Sequence, residues 1–120
     1  MKKIITLFAL VMTALVALTA CAPTAQPVTL GSNAIVIDVR TPSEYSEGHL
    51  EGAVNIDVQS PDFASILSQL PTDGEYYVYC RSGKRSAAAV EQMKAAGFTN
   101  VTDVGSKENA SAATGIPIVQ

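Results

Sequence analysis

From residue 34 onward the apolar positions alternate between two spacings, and the changes of spacing divide the chain into short strands and helices. "AIVIDV" (34–39) is β-branched and nearly all apolar, as expected of a strand buried on both faces. "TPSEYSEG" (41–48) offers Thr41 as an N-cap and Pro42 at the first helical position, and Gly48 as a stop. "AVNI" (53–56) is a second short strand. In 60–70, Phe63, Ile66, Leu67 and Leu70 form the i, i+3, i+4, i+7 stripe of a helix, which Pro71 and Gly74 end. "YYVYC" (76–80) is a third strand. "SAAAVEQMKAAG" (86–97) predicts a helix with Ser86 in or near the capping position and Gly97 as its stop. "NVTDV" (100–104) is a fourth strand, and an Ala-rich helix follows over about 107–113.

Strands alternating with helices predict a single α/β domain over 34–120. Its expected core is a mostly parallel sheet of four to five short strands with helices on both faces. Tyr76, Tyr77 and Tyr79 fall on the third strand and are assigned to packing. In open parallel sheets ligands gather at the carboxyl ends of the strands, and Cys80 ends one of them.

The segment before the domain has a different composition. Lys2 and Lys3 precede 17 uncharged residues (4–20), too short for a comfortable bilayer span of ~20 residues but suited to a secretory signal. An uncleaved anchor is the competing reading. "LTAC" (18–21) resembles the bacterial lipobox, which implies cleavage after residue 20 and lipidation of Cys21; cleavage at a small-x-small site is the alternative. Residues 22–33, uncharged and containing Pro23 and Pro27, are expected to act as a flexible tether. The chain is therefore expected to be an exported, membrane-anchored lipoprotein facing the periplasm or the extracellular side, attached through its acyl chains.

This changes the reading of the second cysteine. With Cys21 acylated, Cys80 has no partner for an internal disulfide, and an unpaired thiol in an exported protein is a candidate reactive group. Charge points to the same place. Beyond Lys2 and Lys3 the chain keeps six Lys and Arg against eleven Asp and Glu, a net charge of about −5 that excludes a nucleic-acid binder. Half of those six cations, Arg81, Lys84 and Arg85, lie within six residues of Cys80.

"CRSGKRS" (80–86) places a thiol between a strand end and a helix start. Loop N–H groups and the helix dipole can both favour a thiolate there, with Gly83 permitting the tight turn. Arg81, Lys84 and Arg85 would attract an anion. The single histidine, His49, forms a Cys–His pair only if the fold brings it close; otherwise it is structural.

Two separated motifs resemble the rhodanese superfamily. "DVRTPSEYSEGHLEGAVNI" (38–56) is similar to its Asp-x-Arg strand end and Glu-aromatic-x-x-Gly-His-x-x-Gly-Ala-x-Asn signature, and "CRSGKRS" to the active loop of single-domain members. Related phosphatases and arsenate reductases carry Cys-x5-Arg, whereas Arg85 follows Cys80 one residue earlier and residue 86 is serine. The shorter loop suits sulfur on the cysteine better than a phosphate. The resemblance implies a cofactor-free sulfurtransferase with Cys80 as nucleophile and Arg81, Ser82, Gly83, Lys84, Arg85 and Ser86 binding substrate. It would move sulfur from thiosulfate, a persulfide or a polysulfide to cyanide or an acceptor thiol, acting as a monomer. Asp38 and Arg40, at another strand's carboxyl end, could approach the site, but the favoured reading is scaffold, a buried Asp38 accepting backbone N–H groups and Arg40 paired to Glu44; Glu44, His49 and Asn55 are scaffold too. The family's C-terminal aromatic is missing, although Gly105 and Gly115 to Pro117 are kept. A non-catalytic binding module and a single-cysteine redox relay are the competing functions.

Overall fold

The computed structural model describes residues 25–120, so the expected signal, lipobox and Cys21 lie outside the described residues. Four strands form one parallel sheet: β1 (Ile35–Asp38), β3 (Val54–Asn55), β4 (Tyr76–Cys80) and β5 (Val101–Ser106), in the order β3-β1-β4-β5. The helices are α1 (Pro42–Glu47), α2 (Phe63–Leu67), α3 (Lys84–Ala95) and α4 (Lys107–Thr114). The expected α/β architecture is therefore present. A small antiparallel pair, β2 (His49–Leu50) with β6 (Ile118–Val119), was not anticipated. Two-residue strands carry no readable periodicity, and this pairing joins segments far apart in the chain.

Side chains alternate across the sheet with period two and fill two cores. Ile37, Tyr76, Val78 and Cys80 face α2 and α3, packing with Phe63, Leu67, Ala89, Val90 and Met93. Val36, Tyr77 and Tyr79 face the other side, against Leu50, Ala53 and Ala110, with Tyr45 partly buried beside them. The three tyrosines thus serve packing, as their pattern suggested.

Element ends differ from expectation in two places. The helical stripe over 60–70 is α-helical only at Phe63–Leu67, because the flanks use tighter three-residue turns (Phe63 N–H to Ser60 O, Leu70 N–H to Leu67 O). The helix expected to be capped near Ser86 begins at Lys84 with Gly83 as N-cap. Upstream of the sheet, the Val28 N–H donates to Ala113 O at 3.0 Å, and Val28 and Leu30 pack on the second core. Ordered packing thus extends into the segment expected as a tether.

The topology sets the position of the site. From β1 the chain moves outward to β3, then returns past β1 to β4 and on to β5. The direction reverses between β1 and β4, and a crevice opens at the carboxyl ends of such a pair. Arg40 just beyond β1 and Cys80 at the end of β4 both lie there. A bulge in β5 adjusts the far wall: Val78 pairs with Asp103 but Tyr79 pairs with Gly105. Gly105 takes φ 75°, and its N–H bonds back to Asp103 Oδ1 at 2.9 Å. Ser106 is thereby set opposite Cys80, which brings the start of α4 beside the cysteine loop.

Candidate active site

Cys80 is fully buried, at the point where β4 passes into α3. The loop between them is only Arg81, Ser82 and Gly83. Gly83 adopts φ 95°, a left-handed conformation, which turns its N–H toward the sulfur at 2.9 Å from Cys80 Sγ. Helix α3 has no side chain capping its first turn; instead the sulfur accepts the Gly83 N–H, and the nearby Ser86 N–H favours its charged form. This explains the early start of the helix: with the sulfur acting as cap, Ser86 is free to sit in the first turn.

Ser86 is buried, with its Oγ 3.6 Å from Cys80 Sγ and donating to Gly83 O at 3.0 Å. A serine hydroxyl has a single proton. With Cys80 as a thiol, the S–H donates to Ser86 Oγ and the serine proton goes to Gly83. With a thiolate, the serine proton can turn to the sulfur. Burial pushes the Cys80 thiol up, but the Ser86 hydroxyl and the N–H groups of Ser86, Gly83 and Ser82 outweigh it, and the pKa lies below the ordinary thiol value.

The three loop cations have different fates. Arg81 and Lys84 are exposed. Arg85 is held by Glu44 of α1 through parallel hydrogen bonds, Nη1 to Oε1 at 2.7 Å and Nη2 to Oε2 at 2.9 Å. Glu44 also closes a capping box with Thr41. The Arg85 guanidinium, against some opposing burial and helped by the Thr41 N–H, brings the Glu44 carboxyl down to about 2.

The pairing of Arg40 with Glu44 does not occur. Arg40 instead binds Asp38, two residues back, through Nε and Nη2 at 2.7–3.1 Å, and also donates to Gly48 O. The Asp38 carboxylate, buried at the end of β1, also accepts the Arg40 N–H at 2.9 Å, as expected of a buried acid. Two buried ions two residues apart satisfy each other, which leaves Glu44 available to Arg85. Asn55 secures the strand ends by donating to Asp38 O and Arg40 O. His49 stacks on Tyr45 at 3.7 Å between ring centroids, with Nδ1 2.8 Å from Tyr45 O. Its contacts lie with α1, while those of Cys80 lie with Gly83 and Ser86, so no Cys–His pair forms.

A cavity of about 260 Å³ opens beside the loop, lined by Arg40, Glu44, Glu47, Arg81, Lys107 and Glu108. Nothing in the sequence marks Glu47, Lys107 or Glu108, since each reads as an ordinary surface charge. Only the bulge in β5, which places α4 against the loop, brings the last two to the site. Among the described residues no group of three His, Cys, Asp or Glu is arranged to hold a metal.

Comparison with known proteins agrees with this geometry. A family model described as a rhodanese-like domain matches residues 26–106. Thiosulfate sulfurtransferase 16 of Arabidopsis thaliana is 36% identical over 91 residues, covering 68% of this chain and 76% of the relative. Thiosulfate sulfurtransferase PspE of Escherichia coli is 34% identical over 70 residues, covering 58% and 66%. A solved structure titled "rhodanese with anions from E. coli" aligns with a TM-score of 0.60 at 28% identity, covering 72% of this chain and 98% of that one. With its fold, its loop and two thirds of its length accounted for in this way, the chain belongs to the rhodanese-like domain family.

Proposed function

We propose that the chain is a rhodanese-type sulfurtransferase that carries sulfane sulfur on Cys80. The observation behind this reading is one buried sulfur that accepts the Gly83 N–H at 2.9 Å and lies 3.6 Å from the Ser86 hydroxyl, with the Ser86 and Ser82 N–H groups favouring the same negative charge. They favour the thiolate, and they suit a persulfide anion equally well.

The Cys80 thiolate attacks the outer sulfur of thiosulfate. The S–S bond of the donor breaks, sulfite leaves with the bonding pair, and Cys80 becomes a persulfide anion. Cyanide or a thiolate then attacks the outer sulfur, the new S–S bond breaks, and the Cys80 thiolate returns. A persulfide or polysulfide donor reacts in the same way with a thiolate leaving group. No general base is invoked, because the donors around Cys80 favour its thiolate. Arg81 and Lys84 draw in anionic donors, while Arg85, committed to Glu44, holds the loop in shape.

On the sequence of residues 1–21 the domain is further proposed to be exported and held at a membrane by acylated Cys21. The deciding experiment is intact mass after incubation with thiosulfate or polysulfide. One added sulfur, absent in Cys80→Ser, is expected. An unchanged wild-type mass with both donors overturns the sulfurtransferase reading.

A further inference from the structure

The cavity beside the cysteine loop is balanced in charge: Arg40, Arg81 and Lys107 face Glu44, Glu47 and Glu108. Two of these six are already committed, Arg40 to Asp38 and Glu44 to Arg85. The remaining four are not closely paired among the described residues. Arg81 and Glu47 make no ion pair, and Lys107 meets Glu108 only at 3.9 Å, the outer limit of contact. The Lys107 side chain is 22% exposed, while its one ion-pair partner among the described residues, Glu108, is 72% exposed and held only loosely. A site built for small dianions would have no need of two carboxylates at its mouth, since each repels an approaching anion.

We propose, resting on the sulfurtransferase reading of Cys80, that this cavity receives a dipolar acceptor thiol, a molecule of amino-acid size carrying both an ammonium and a carboxylate. Arg81 and Lys107 take the carboxylate, and Glu47 and Glu108 take the ammonium. A volume of about 260 Å³ lies just under the range of drug-sized pockets and fits such a ligand. Cys80 does not itself line the cavity, but its neighbour Arg81 does, and the outer sulfur of a Cys80 persulfide extends the reactive atom about 2 Å beyond the buried Sγ. The acceptor thiolate attacks that sulfur, its bond to Cys80 breaks, and the acceptor leaves as a persulfide while Cys80 recovers its electron pair. Glu47 and Glu108 thus determine which acceptors are used, without touching the reacting sulfur.

The test loads the full chain with thiosulfate and follows discharge to four thiols compared at equal thiolate concentration. L-Cysteine carries both charges, cysteamine only the cation, mercaptoacetate only the anion, and 2-mercaptoethanol neither. KM for cysteine is expected to be about tenfold below that of either singly charged thiol, the difference of one charge-assisted contact. Glu47→Gln with Glu108→Gln should move the preference toward mercaptoacetate, and Lys107→Met toward cysteamine, each measured after loading to completion with saturating thiosulfate so that any change in donor attraction does not enter the ranking. If loading fails in the wild type, the sulfurtransferase reading falls and the dipolar acceptor with it. If loading succeeds but the four thiols discharge it alike, or the glutamine variant keeps the wild-type ranking, the dipolar acceptor alone is overturned.

Discussion

Glu44 of α1 grips Arg85 of the cysteine loop by two parallel hydrogen bonds of 2.7 and 2.9 Å. The two residues are 41 positions apart, and their pairing fastens the first helix to the loop that follows β4. It also neutralises one of the three cations next to Cys80 and leaves Arg81 as the loop cation facing the cavity.

Glu44→Gln should therefore lower stability by about 1 kcal/mol, or roughly 4–8 °C in Tm for a domain of this size. The loss is pH-dependent with a defined sign. Folding brings the carboxyl from an ordinary value of 4.5 to about 2. Its contribution is complete above about pH 4.5 and disappears as pH falls toward 2. Thermal melts of both proteins between pH 7 and pH 2.5 should converge at the acid end; a constant gap would contradict the ion pair as its source.

Ser86→Ala removes the hydroxyl that can turn toward a Cys80 thiolate while keeping the helix N–H groups in place. The pH profile of Cys80 alkylation by iodoacetamide should move to higher pH, with the plateau rate at high pH little changed. Thermal stability should fall by no more than about 1 kcal/mol, the net worth of one neutral hydrogen bond. An unmoved profile would show that the backbone alone sustains the thiolate.

Arg81→Ala should raise KM for thiosulfate by about threefold to tenfold and flatten its dependence on ionic strength, because long-range attraction is screened by salt. KM for a neutral donor should hardly change. Lys84→Ala, outside the cavity lining, should have a smaller effect. Equal effects on charged and neutral donors would argue against steering.

The proposed acylation of Cys21 predicts that Cys21→Ala releases the protein from membranes into the soluble fraction, since acyl chains contribute ~0.8 kcal/mol for each buried methylene. Fractionation of cells expressing either form checks this. Unaltered membrane retention would rule out lipidation of Cys21 as the anchor.

Most of the fold was legible because it rests on local periodicity. "YYVYC" is a strand over the same five residues that were read as one, and Thr41 with Pro42 starts α1 as its capping chemistry requires. The short strands His49–Leu50 and Ile118–Val119 were not legible, since they owe their form to each other rather than to their own residues. The loop was recognisable from its residues and its resemblance to the rhodanese active loop, but α3 starts at Lys84, two residues before the expected Ser86. A sulfur from the preceding strand, rather than a side chain of the helix, caps its first turn.

By itself the sequence determined the α/β order of elements, the position of a lone thiol at a strand end, and the concentration of cations around it. Tertiary structure alone decided how those charges are used. Arg40 took Asp38 and left Glu44 to Arg85, and a one-residue bulge at Gly105 brought Lys107 and Glu108 to the mouth. The physical reason is that an ion chooses its partner by distance and burial, which depend on how separate strands and helices pack. Sequence spacing constrains those quantities only within a single turn or strand.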